Sequence, residues 1–168
     1  MEELIFNTPE ALGEYSAALI DQTLRQKPDA LLCISAGDTQ RPMLAAMRRW
    51  GPEQRARLRY ARFILLDEWL GLGADDEGSC AHFMHTQLFT PLEVPANRVR
   101  GFDATAQDLR AQCEAADVWL LEQGPIDLLI VGTGMNGHVG FNEPGADPAA
   151  GAHSLVLDTL TQAVGQKY

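Results

Sequence analysis

DLLIVGTGMNGHVGFNEPG, residues 127–145, is the stretch on which the reading of the fold turns. It opens on Leu128, Leu129, Ile130 and Val131, an apolar run without alternation. Such a run predicts a strand buried on both faces, as in a parallel sheet. Gly132, Gly134 and Gly137 follow, residue types that let the backbone turn sharply or approach a ligand closely. His138, Asn142 and Glu143 come next, before a turn at Pro144-Gly145. An imidazole, an amide and an acid thus sit at the exit of a buried strand, the edge where open α/β sheets bind ligands.

Upstream, helical and strand patterns alternate. Thr8-Pro9-Glu10 reads as a helix start, with apolar Leu12, Tyr15, Leu19 and Ile20 carrying the helix to about Gln26. Ala30 to Ser35 is a first buried strand, Ala36 to Thr39 a loop, and Arg41 to Trp50 the next helix. Arg62 to Leu66 is a second strand that ends on Asp67-Glu68. Ser79 is placed to cap a helix through Phe89, Arg98 to Phe102 is a weaker strand, and Thr105 to Gln123 is a helix. After the strand Asp127 to Val131, His153 to Leu157 reads as a last strand and Thr159 as the start of another helix. This alternation predicts one α/β domain over residues 1–168: a three-layer α/β/α arrangement around a Rossmann-like, mainly parallel sheet. The sequence stops at Gln166-Lys167-Tyr168 within a continuing element, so the fold is expected to be incomplete at its C-terminus.

Bulk properties narrow the function classes. The 168 residues suffice for one core, and the formal net charge of −10 argues against general nucleic-acid binding. No run is long enough for a membrane span, and no basic-then-apolar signal pattern opens the chain. Cys33, Cys80 and Cys113 form no metal pair; three reduced thiols, read as small buried residues, fit the cytoplasm.

Three strand exits carry polar groups: Ser35 to Thr39, Asp67-Glu68, and Asn136 to Glu143. In a parallel sheet all three lie on one edge, which is the main argument for a site there. The SAGDT loop has backbone N–H groups and the Ser35 and Thr39 hydroxyls to cradle a phosphate at a helix start, though such turns are as often only structural. Asp67, after an apolar run, reads either as a partly desolvated general base or as a cap for the following turn. Trp69 reads as a packing residue. His138 stands between two glycines in Gly-His-Val-Gly, which bring no bulk to make it core filling. Glu143 lies five residues on and is expected to contact and orient the imidazole, the usual form of a proton shuttle. His82 and His85 share a helix face without an acidic or Cys partner at metal spacing, which argues against a metal site.

Gly132, Gly134 and Gly137 also spell the G-x-G-x-x-G dinucleotide fingerprint, with Asp158 about 20 residues on. That fingerprint needs a helix opening at its third Gly. Gly140, Pro144 and Gly145 leave no room for one, so a nicotinamide or flavin site is not expected.

Four blocks, in order, resemble the glucosamine-6-phosphate deaminase (isomerase) family, which shares its fold with the 6-phosphogluconolactonases. They are SAGDT, LLDEWLGL, SCAHFMHTQLF and VGTGMNGHVGFNEPG. FNEPG resembles the deaminase branch, while LLDEW, the Asn of MNGH and HSLVLD resemble its galactosamine-6-phosphate members. The resemblance implies an amino-sugar phosphate as the small-molecule partner, and no metal or organic cofactor is required. It assigns Asp67 the proton transfer between sugar C2 and C1, His138 ring opening, and Glu143 the role of acidic partner. Phosphate and substrate contacts fall on Ser35, Gly37, Thr39 and Gly134, with a later basic contact near Lys167. The common deaminase pattern has Asp where this chain has Asn136. An amide takes up no proton at neutral pH, so Asn136 is left to orient His138 or to bind sugar hydroxyls. Two other readings stay open: a 6-phosphogluconolactonase-type hydrolase, in which His138 activates water, and an inactive sugar-phosphate-binding fragment. The epimer and the oligomeric state, a homo-oligomer included, are not set by the sequence.

Overall fold

The computed structural model describes residues 2–165. Helix α1 (Pro9–Gln26) starts as its sequence requires, with Thr8 accepting from the Ala11 N–H at 3.1 Å and Pro9 in the first turn. Strand β1 (Leu31–Ile34) leads through a 3₁₀ turn, Asp38–Gln40, into α2 (Arg41–Arg48). Gly51-Pro52 ends that segment and opens α3 (Pro52–Leu58), a helix absent from the sequence reading although Gly before Pro is a recognisable start. Strand β2 (Arg62–Ile64) is followed by the polar loop and by α4 (Cys80–Met84), which runs into a π-turn over His85–Phe89. Ser79 caps α4 by accepting from the His82 N–H at 2.8 Å. Strand β3 (Val99–Arg100) is short. Helix α5 (Leu109–Gln123) begins four residues later than expected because Asp108, not Thr105, supplies the cap. Strand β4 (Leu128–Ile130) and α6 (Thr159–Gly165) complete the set.

Among the described residues, four strands run parallel in the order β3-β2-β1-β4. Their pleat divides the core in two. Leu32 and Ile34 of β1, with Phe63 and Leu65, face a large cluster shared with α1, α2, α3 and α4. Leu31, Cys33 and Ile64 face the other way, against Trp119, Leu120 and Ile126. Helices on both faces make the three-layer α/β/α arrangement. Helix α1 packs closely on α2, where Gly13 leaves room for Pro42: a Cβ there would stand 2.5 Å from the Pro42 carbonyl carbon.

Two expectations need correction. β4 is not buried on both faces: it lies at the end of the sheet order, and Leu129 is 48% exposed while Leu128 and Ile130 pack on the large core. An apolar run signals β propensity, but the number of neighbours covering it is a tertiary matter. His153 to Leu157 forms no strand; it lines the cavity on the α5 side of the sheet without ladder partners among the described residues, leaving Val156 88% exposed. The start of β4 is fixed by Asp127, whose carboxylate accepts from the Leu31 N–H at 2.8 Å and pairs with Lys27 at 2.9 Å.

Candidate active site

Because the sheet is parallel, the ends of β1, β2 and β4 open on one edge, and their loops enclose a cleft of about 540 Å³. Ser35, Gly37 and Thr39, Asp67, and Gly134, Asn136 and His138 all line it. A larger cavity, about 760 Å³, lies on the α5 side of the sheet. Asp67 reaches both spaces, and the Trp69–Phe141 ring pair, with centroids 4.5 Å apart, stands between them. Trp69 thus packs on Phe141 and forms part of the cleft wall. The smaller space holds the convergent polar groups and is the candidate site.

The loop after β1 is shaped by Gly37, whose φ of 119° lies in a region that favours glycine. The buried Ser35 hydroxyl accepts from Gln40 Nε2 at 3.0 Å and so braces the loop from within. Asp38 pairs with Arg41, and the Arg41 guanidinium lies over the Phe83 ring, 5.0 Å from its centroid. Thr39 approaches β4 closely: a Cβ on Gly132 would meet its Oγ1 at 3.0 Å.

Asp67 follows β2 after Leu65 and Leu66, and its neighbour Glu68 fastens the segment. The Glu68 carboxylate accepts from the N–H groups of Trp69 at 2.8 Å, Cys80 at 2.9 Å and Ala81 at 2.8 Å. Glu68 is thus the residue that caps, and Asp67 is free to face the cleft. Desolvation pushes the Asp67 carboxyl up to about 6; a hydrogen bond from Cys80 and the nearby His138 pull it down, and the charge of Glu68 pushes it up. Gly140, at φ 60°, packs against the same carboxylate: a Cβ there would lie 3.2 Å from Asp67 Oδ2.

His138 lies over the bare backbone of Gly134. Its partner is not Glu143 directly. Asn136 Oδ1 lies 2.8 Å from His138 Nδ1 and accepts from the His138 N–H at 3.1 Å, while Asn136 Nδ2 donates to Glu143 Oε2 at 2.6 Å. A carboxylate only accepts, so Glu143 sets which end of the amide faces it. The Asn136 oxygen then faces Nδ1, which places the imidazole proton there and leaves the Nε2 lone pair open. Thr161 Oγ1 stands 3.3 Å from the same Nδ1. Desolvation opposes the Glu143 charge, but hydrogen bonds from Thr161, Asn136 and the Asp158 N–H outweigh it and hold the carboxyl below its usual range. The sequence reading missed the contributions of Glu68, Cys80, Gly140 and Thr161; only the Ser79 cap hinted that α4 starts beside Asp67. Lys167 lies outside the described residues. No helix opens between β4 and Thr159, so the glycines do not build a dinucleotide turn.

Residues 7–151 match the family model of glucosamine-6-phosphate isomerases/6-phosphogluconolactonase, and the chain belongs to that family. Among curated relatives, the glucosamine-6-phosphate deaminase of Streptomyces coelicolor is 38% identical over 165 residues, covering 96% of this chain and 61% of its own. That of Bacillus pumilus is 32% identical over 168 residues, covering 100% of this chain and 70% of its own. The chain thus spans about two thirds of the length of these relatives. The solved structure of a monomeric glucosamine-6-phosphate deaminase superposes with a TM-score of 0.94 at 28% identity, over 100% of this chain and 70% of that one. A 6-phosphogluconolactonase from Thermotoga maritima shares the fold, with a TM-score of 0.68 at 21% identity, over 82% of this chain and 61% of that one.

Proposed function

We propose that this chain carries the catalytic cleft of an amino-sugar-6-phosphate deaminase, acting on glucosamine-6-phosphate or galactosamine-6-phosphate. The supporting observation is that Asp67, His138 and the Ser35–Thr39 turn line one cleft. The turn holds the phosphate through its N–H groups and the Thr39 hydroxyl, and this remote anchor fixes the reacting carbons. His138 Nε2 takes the proton of the C1 hydroxyl and returns one to the ring oxygen, opening the pyranose. Asp67, ionised at neutral pH, removes the C2 proton and delivers it to C1 on the same face, while O1 takes up one proton and the C2 amino group gives one up, leaving a C1 hydroxyl and a C2 imine. The resulting C2 imine adds water and releases ammonia, leaving the ketose-6-phosphate. Reduced, unpaired Cys33, Cys80 and Cys113 support a reducing compartment, the cytoplasm. No described helix is long and apolar enough to cross a membrane.

The test is ammonia release and ketose-6-phosphate formation from each amino-sugar phosphate. Hydrolysis of 6-phosphogluconolactone without ammonia release would assign the chain to the lactonase branch, and calorimetric binding without turnover would make it a binding fragment.

A further inference from the structure

Asp67 lies where the sheet no longer holds the chain. The Leu65 N–H still donates to Arg100 O at 2.8 Å. Among the described residues, the next main-chain bond from this segment to another is Gly71 N–H to Ala104 O at 2.9 Å. The Glu68 carboxylate spans that gap. Its Oε1 takes the N–H groups of Trp69 and Cys80, at 2.8 and 2.9 Å, and its Oε2 that of Ala81 at 2.8 Å. Ser79 Oγ takes the His82 N–H at 2.8 Å, so two side chains satisfy the first three N–H groups of α4. A cap is ordinarily the residue next to its helix. An acid 12 residues before Cys80 does more: it joins two walls of the cleft, the exit of β2 that carries Asp67 and the start of α4, whose Ser79, Cys80 and Phe83 line the same space.

We propose that Glu68 is a positioning residue for Asp67: by fastening the exit of β2 to α4, its carboxylate holds the Asp67 carboxyl in place against the substrate carbons. The proposal rests on the reading of Asp67 as the base that moves the C2 proton. Both Glu68 oxygens are occupied by main-chain donors, so Glu68 acts on the reaction through Asp67. The titratable groups that face Asp67 are Glu68 on its own segment, Cys80 on α4, His138 on the loop after β4, and Cys33 on β1. Burial and the Glu68 charge disfavour ionisation of Asp67, and Cys80 and His138 favour it. The residue that places the base therefore also raises the pH at which it ionises, and Glu68→Gln removes both effects. Gln keeps the shape but has one accepting oxygen and one NH₂, so either Ala81 or the Trp69 and Cys80 pair is left facing a donor.

The experiment compares the unaltered chain with Glu68→Gln, Glu68→Asp and Ser79→Ala. Carboxyl carbon NMR titration follows Asp67, with Asp67→Asn to assign the signal, and ammonia release is measured at pH 8, where Asp67 is ionised throughout. In Glu68→Gln the Asp67 midpoint, near 6 in the unaltered chain, should fall by about half a pH unit. Its kcat should fall by about tenfold at nearly constant KM. Glu68→Asp keeps the charge and loses the reach, so its midpoint should stay near 6 while kcat falls as in the Gln variant. Ser79→Ala takes a cap from the same helix without touching the exit of β2; it should lower the thermal midpoint and leave the Asp67 midpoint in place. A midpoint that stays or rises in Glu68→Gln, an undiminished kcat in either Glu68 variant, or an equal shift in Ser79→Ala overturns the proposal. The titration needs no turnover: a lowered midpoint with no ammonia release from any chain sinks the deaminase reading alone, and ammonia release with an unmoved midpoint sinks the role of Glu68 alone.

Discussion

Gly134 seats the imidazole of His138 directly on its main chain: a Cβ at Gly134 would lie 2.1 Å from His138 Cε1 and 2.2 Å from Nε2. No rotamer of an added methyl avoids the ring, so Gly134→Ala must displace His138. The displacement breaks the 2.8 Å contact to Asn136 while leaving the buried core untouched. We expect kcat for ammonia release to fall by about a hundredfold, the range of a misplaced proton-transfer group, with little change in thermal midpoint. Parallel steady-state kinetics and thermal unfolding of the variant check this.

Glu143 governs the imidazole at one remove. Glu143→Gln replaces a pure acceptor with an amide that also donates, so the 2.6 Å bond from Asn136 no longer dictates the orientation of that amide. The 3.1 Å bond from the His138 N–H to Asn136 Oδ1 is then left to hold the amide, and the fraction that turns over sets NH₂ against Nδ1 and moves the ring proton to Nε2. We expect kcat to drop by about tenfold with KM for the sugar phosphate nearly constant. A fall confined to KM would show that Glu143 serves binding instead. The hydrogen-bonded Glu143 carboxyl sits below its ordinary 4.5 in the folded chain, so its contribution to stability is full above that pH and is lost as pH falls through the folded value.

Asp67 has the opposite sign. Its folded value near 6 stands above the ordinary 3.8, so between those values the folded chain binds more protons than the unfolded one. Stability from this group is greatest below pH 3.8 and declines as pH rises through about 6. Activity runs the other way, because the base works only when ionised. We expect kcat/KM to rise with pH along a limb with its midpoint near 6. Asp67→Asn should abolish that limb and raise stability at pH 8 by about 1 kcal/mol, a value discounted for partial solvent access. Denaturant unfolding at pH 5 and pH 8 measures the second effect.

Gly13→Ala tests the packing of the scaffold away from the cleft. The added Cβ would stand 2.5 Å from the Pro42 carbonyl carbon and 2.7 Å from the Met43 nitrogen, both main-chain atoms that side-chain motion cannot relieve. The α1–α2 contact must open, at a cost of about 2 kcal/mol despite the better helix propensity of Ala. A urea midpoint equal to that of the unaltered chain would contradict so close an approach.

Much of the architecture was readable before any coordinates. The apolar runs ALLCIS, RFILL and DLLIV mark the cores of β1, β2 and β4, and Thr8-Pro9 marks the start of α1, because burial and capping leave local traces. The convergence of Ser35–Thr39, Asp67 and His138 also followed from sequence, since parallel strands deliver their exits to one edge. HSLVL misled because β-branched and apolar residues signal strand propensity, whereas a strand exists only where a partner supplies its ladder.

What the sequence determined by itself was the order of the elements and the residue types at each strand exit. Propensity, periodicity and capping act over a few neighbouring residues and are written into them. Only the tertiary structure decided that Asn136 stands between Glu143 and His138, that Glu68 caps while Asp67 faces the cleft, and that Glu68 takes the N–H groups of Cys80 and Ala81. Those relations depend on angstrom-scale distances between separately folded segments, such as the 12 residues from Glu68 to Cys80, and hydrogen bonds vanish over displacements far smaller than any spacing in a sequence can specify.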